Sequence, residues 1–417
     1  MIQFSKHTLS NGLRLLLHED HTTPLVSLNI LYNVGARNEM PSRTGFAHLF
    51  EHLMFGGTPN VPDYDLVVNN LGGESNAFTN NDYTNYYLTV PAEALPQALE
   101  LEADRMRLLD FSQRSLDVQK RVVTEEYNQR YVNQPYGDKW LLLRPLCYKV
   151  HPYRWCTIGS DIAHVAQASI ADVEQFFYRY YRPNNAILSL AGNLDSAKAI
   201  ELVEHYFADI QPSAQSADPL PVEPVQTARR ELSVEREVPA SCFIQAFHMP
   251  GVGEKDYYVC DLLSDVLSNG QSSRMYDQLV RQQGLFTELN AYITGESHPG
   301  LFVVEGRLAD GTSMQSAEQA VSEQLCRLSQ EPVSDHELQK VVNKYENTFV
   351  FSHYKASDRA MSLCYYEWLG HPDWVNDDPL HYRSITPADL QRVAANIFTN
   401  SNSNVIYYCK KNQPQKP

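Results

Sequence analysis

Residues 44–57, TGFAHLFEHLMFGG, restrict what this chain can fold into more than any other stretch. His48 and His52 stand four apart among good helix formers, so a helix there carries both imidazoles on one face, about one turn apart. Phe46, Leu49, Phe50, Leu53, Met54 and Phe55 fill the other positions and make the helix apolar nearly all round, which predicts that it is buried. Ser42 or Thr44 can cap its start and Gly56-Gly57 can end it. Burying two histidines and Glu51 without partners is costly, so these side chains are ligated or hydrogen-bonded. The plainer alternative is a pair of satisfied core histidines.

Two imidazoles on one face can reach one metal. The chemistry fits zinc, which accepts neutral imidazole nitrogen and keeps a position for water in catalytic sites. Glu51, three residues after His48 and next to His52, places a carboxylate beside that metal without being an obvious ligand. A catalytic zinc wants a third protein ligand. The long helical stretch 115–132 supplies Glu125 and Glu126, whose side chains point about 100° apart on a helix, so at most one faces the metal. Spacing leaves open which one does.

With 417 residues, 43% hydrophobic and 20% charged, the chain reads as a soluble globular protein of two or more domains. No apolar run is long enough to cross a bilayer, and residues 1–20 lack the pattern of a signal peptide, so the expected location is cytoplasmic. Seven scattered cysteines, never in a C-x-x-C pair, suit free thiols in a reducing compartment. A net charge of −16 argues against nucleic acid and against an anionic membrane surface as partners.

Alternation over residues 3–35, with Asn11-Gly12 as a hairpin turn, predicts two or three strands leading into the motif helix. Residues 74–91, ESNAFTNNDYTNYYLTVP, end in a clear strand, whereas their polar first part suits a sheet edge that could pair with an extended peptide. An ordinary hairpin is the alternative reading. Residues 211–226, QPSAQSADPLPVEPVQ, read as an extended linker that divides the chain into 1–210 and 227–417. The second half repeats the order of elements of the first, which suggests duplication. Where the first half has the zinc motif, the second has Asp261-Leu-Leu-Ser-Asp265, so only the first half is expected to hold metal.

Taken in order, LSNGLRLLLHED, VGARNE, the motif helix, GGESNAFTNNDYTNYY, RVVTEEYNQR, YYRPNNAILSLAGNLD and SNGQSSRMYDQLVRQQGL resemble the pitrilysin and insulinase-like zinc peptidases, the inverzincins, which include the mitochondrial processing peptidases. The resemblance covers nearly the whole chain. It implies an α+β fold of two homologous halves, each an antiparallel sheet packed with helices, forming half of a clamshell chamber around one zinc per chain. It implies His48 and His52 as ligands and Glu51 as the general base that activates the zinc-bound water. Aligning QKRVVTEEY on its paired valines selects Glu126 as third ligand over Glu125. Asn76 and Ala77 match the Asn-Ala of an edge strand that holds substrate backbone. The implied activity is endopeptidase action on unstructured peptides.

Two departures qualify that resemblance. Gln119 stands where the family usually has a glutamate supporting a ligand histidine. Active relatives place an Arg and a Tyr seven apart in the second half to grip the substrate carbonyl, whereas this chain, aligned on Gly284-Leu285, has Val280 and Thr287. Nearby Arg281 has Glu288 seven residues on, not a tyrosine. Some relatives divide these parts between two subunits, so the expected partner is a homologous chain in a heterodimer, with a homodimer as the alternative. A rival reading from another class is a non-catalytic scaffold subunit of the same fold.

Overall fold

A computed structural model describes residues 1–214 and 218–411. The fold is α+β, with two sheets, each packed with helices. The first sheet contains β1 (Ser5–Thr8), β2 (Arg14–Glu19), β3 (Leu25–Tyr32), β4 (Glu74–Thr79), β5 (Thr84–Pro91) and β6 (Ala186–Gly192), in the order β1-β2-β6-β3-β5-β4. The second contains β7 (Arg230–Arg236), β8 (Cys242–Met249), β9 (Phe286–Ile293), β10 (Gly300–Leu308) and β11 (Ser403–Lys410), in the order β7-β11-β8-β10-β9. Pairing is antiparallel except for β2 with β6 and β7 with β11, so each sheet carries one parallel pair. The run β6-β3-β5-β4 therefore recurs as β11-β8-β10-β9, with the parallel strand joined at the same place, as the repeated element order implied. In both sheets the last strand of that run is an edge.

Contacts divide the chain into two units, and neither is one continuous piece. Of the described residues, the first comprises those within 1–130, 151–221 and 349–377, and the second those within 131–150, 222–348 and 378–417. A single cut at 211–226 therefore does not describe the packing. Residues 349–377 return to the first unit because the helix Ala356–Trp368 lies on its sheet. There the Ser189 hydroxyl donates to the Ala360 carbonyl, and the Cys364 thiol donates to the carbonyls of Asn29 and Ile187 at 3.4 Å each. Leu16, Leu31 and Ile187 pack with Leu363 and Cys364 on the same side.

The opposite side of that sheet is covered by α1 (Phe46–Leu53), α2 (Tyr64–Asn70) and α3 (Leu95–Arg107), and α4 (Gln113–Tyr127) packs on α1. Beneath α1 a buried ion pair joins Arg105 to Glu102, with Arg105 Nη2 2.6 Å from Glu102 Oε2. Its guanidinium lies 4.6 Å from the Tyr64 ring and 4.7 Å from the Tyr86 ring, so its charge is paired on one side and faced by π-electrons on the other. Among the described residues no helix is long and apolar enough to cross a membrane.

Candidate metal centre

The motif helix is buried, as its composition requires: Phe46, Ala47, Leu49, Phe50 and Leu53 are all at most 5% exposed. Its start differs from the expectation. Neither Ser42 nor Thr44 caps it; the N-cap is Gly45, left-handed at φ +87, where a Cβ would lie 2.7 Å from the Ile158 carbonyl oxygen. The free N–H groups are taken by the carboxylate of Glu39, which accepts from Gly45 N at 2.9 Å and Ala47 N at 2.8 Å. Thr44 instead bonds Ser160 and His164. Glu39 is buried, so an acid from the VGARNE segment fixes where this helix begins and how His48 is aimed.

His48 and His52 project from one face of α1, their rings perpendicular and 4.8 Å apart between centroids. Of the two acids on α4, Glu126 meets them: its Oε2 lies 3.5 Å from His48 Nε2 and 3.4 Å from His52 Nε2. One ligand atom from each of these three residues lies within 4.8 Å of the others, the one such group found among the described residues. Glu125 lines the same cavity but is not part of the group. The other carboxylate oxygen of Glu126, Oε1, is held by Arg130 Nη1 at 2.8 Å. Arg130 follows α4 in the π-turn Asn128–Val132. Sequence reasoning did not single it out, although its place four residues after Glu126 on a continuing helix was the available signal.

The electrostatics fit imidazole ligands. Burial, more than any neighbour, holds the His48 imidazole well down, at about 4, so it stays neutral and able to bind a cation. Hydrogen bonding to His52 holds the Glu126 carboxyl below its ordinary value. Burial pushes the Glu51 carboxyl up, against a hydrogen bond with Thr79 of β4. Two imidazole nitrogens and one carboxylate oxygen form the donor set of a catalytic zinc, and these residues fit that ion. His48 Nδ1 is buried with no hydrogen-bond partner among the described residues.

A cavity of about 980 Å³ opens over the cluster. Its lining includes His48, Glu51, His52 and Glu126, and also Asn76 and Ala77 of the edge strand β4. All six residues singled out in the sequence thus border one space. In the second unit, Asp261 occupies the helix Lys255–Ser268 and accepts from the Tyr382 hydroxyl at 2.7 Å. Val280 packs against the apolar core there, and Thr287 lies on β9 with its hydroxyl donating to the Arg307 carbonyl at 3.3 Å.

A duplicated α+β unit with two imidazoles and a carboxylate converging beside an open sheet edge defines the architecture of a metallopeptidase family. The insulinase (peptidase family M16) model matches residues 14–138, and the peptidase M16 inactive-domain model matches 167–345. The chain belongs to this insulinase-like M16 family. It is 28% identical over 409 residues to the zinc protease PqqE of Helicobacter pylori, covering 96% of this chain and 91% of that protein. It is 25% identical over 349 residues to the uncharacterized zinc protease YmxG of Bacillus subtilis, covering 83% and 84%. The crystal structure of a protease from Helicobacter pylori superposes with a TM-score of 0.92 at 27% identity, covering 99% of this chain and all of that one.

Proposed function

We propose that this protein is a zinc-dependent endopeptidase acting on unstructured peptides. The observation that carries the reading is the convergence of His48 Nε2, His52 Nε2 and Glu126 Oε2, with Glu51 lining the same cavity beside an edge strand. His48, His52 and Glu126 hold one zinc. When bound, zinc supplies Lewis acidity that acidifies water and polarises a carbonyl. Glu51 takes the proton from the attacking water and passes it to the leaving amine, a task that suits a carboxyl whose proton affinity burial has raised. Arg130 orients Glu126 by holding its outer oxygen. β4 holds the peptide by its backbone, with Asn76 and Ala77 at the cavity.

A homologous second chain supplies the carbonyl-gripping groups, because Val280 and Thr287 offer neither a cation nor a phenol. The matching strand order of the two sheets supports an ancient duplication of the halves 1–210 and 227–417. Seven free cysteines support a cytoplasmic location, and the net charge of −16 supports peptides rather than nucleic acid or membrane as partners. The scaffold reading draws on the same two substitutions and on the match to an inactive-domain model. The experiment is purification of the untagged protein from its source, followed by mass determination and a peptide-cleavage assay of the separated chain. Co-purification with a homologous subunit, and strong activity only in its presence, is expected. Cleavage at rates ordinary for the family by the chain alone would overturn the partner requirement, and no cleavage in either form would favour the scaffold.

A further inference from the structure

The edge strand β4 has a cavity on each face. Ser75 and Thr79 point to the helical side, where their hydroxyls meet Tyr64 of α2 and Glu51 of α1. Glu74, Asn76 and Phe78 alternate to the other side. There Phe78 packs on Tyr83 with ring centroids 5.9 Å apart, and Tyr83 on Trp368 of the helix Ala356–Trp368 at 5.0 Å. A second cavity of about 790 Å³ opens on that face, bordered by Glu74, Asn76, Tyr87, Tyr354 and the start of the same helix. Asn76 borders both cavities.

We propose that this second cavity receives a side chain of the peptide held on β4, and that it selects a long side chain with a cationic end. The inference rests on the peptidase reading only for the presence of a peptide on β4. In a strand pair, residues directly opposite share a face and neighbours along the chain point to opposite faces. The peptide residue opposite Asn76 therefore turns into the second cavity, while its neighbour opposite Ala77 turns toward the metal cluster. Backbone pairing alone delivers alternate side chains to the two spaces.

The chemistry of the second cavity points to the class of side chain. Arg359 and Asp20 cancel one another, with Arg359 Nη2 2.7 Å from Asp20 Oδ2. Glu74 and Asp358 then stand against Lys355, none of the three in an ion pair among the described residues, so the uncompensated charge is negative. Tyr354, 82% exposed, and the half-buried Tyr87 offer aromatic faces to an alkyl stem or a guanidinium.

The test uses full-length Glu51→Gln protein loaded with zinc, and short fluorescent peptides in which each position in turn is Lys, Glu or Ala. At one position, and not at its immediate neighbours, Lys is expected to bind about tenfold tighter than Glu. Adding Glu74→Lys should reverse that preference, and adding Glu74→Gln should erase it, with the affinity of the Ala peptide unchanged in both. An unaltered Lys-to-Glu ratio in both double variants would overturn the assignment. Because the readout is binding, a wild-type chain that cleaves none of these peptides would count against the peptidase reading and leave this result standing.

Discussion

Glu51→Gln is expected to lower kcat/KM by roughly 10³-fold while one zinc per chain is retained. The amide has the shape of the carboxyl, so α1 keeps its packing and Thr79 keeps a hydrogen-bond partner. What is lost is the capacity to accept a proton. None of the three converging ligand atoms belongs to Glu51, so metal affinity should hardly move. Activity within a few-fold of wild type would remove Glu51 from the proton path. Loss of zinc would make it a ligand, which the cluster geometry does not accommodate. Metal analysis beside a peptide assay separates these outcomes.

Glu126→Ala and Glu125→Ala should differ sharply, although the residues are neighbours. Glu126 contributes the single oxygen that lies within 3.5 Å of both Nε2 atoms, so its removal takes one of three ligands and frees Arg130 from its partner. Zinc affinity should fall by at least 10²-fold, the range reached when even supporting groups of ligands are removed, and activity should vanish with it. Glu125→Ala leaves the cluster untouched and should keep zinc. Isothermal titration with zinc on the two metal-free variants checks this. Equal loss in both would mean that α4 presents its acids differently from the structure described here.

The site was largely legible in the sequence because its parts lie in short-range patterns. His48, Glu51 and His52 are fixed relative to one another by helix geometry alone. Glu126 was not: two adjacent acids on a helix are distinguished by rotation, and the rotation of α4 is set by Leu116 and Val123 packing inward, which spacing of charges does not report. The resemblance selected Glu126, and Glu126 is the one of the two acids that lies with His48 and His52. Glu39 was missed as the cap of α1, because it lies six residues before Gly45 and reaches the helix through a loop. The signal available was a buried helix start with no usable side chain at its cap.

The fold was legible where periodicity is strong and illegible where long-range packing decides. The helix Ala356–Trp368 was not anticipated, and with it the return of residues 349–377 to the first unit. Its inner face is Ala360, Leu363 and Cys364, and it meets Asn29 and Ser189 across a sheet face that reads as polar. Asn29 and Asn85 satisfy one another there in two hydrogen bonds of 2.8 Å, so a face that composition assigns to solvent is buried. Alternation in β3 was correctly seen, but it marks two kinds of buried face rather than a buried and an exposed one.

X-ray absorption at the zinc edge of the loaded wild-type protein tests the central claim most directly. One zinc per chain is expected, with a first coordination sphere of two imidazole nitrogens and light oxygen scatterers at about 2.0–2.2 Å and no sulfur. The imidazole scattering should halve in His48→Ala. A sulfur shell near 2.3 Å, recruited from the cysteines, or a spectrum unchanged in His48→Ala, would contradict it.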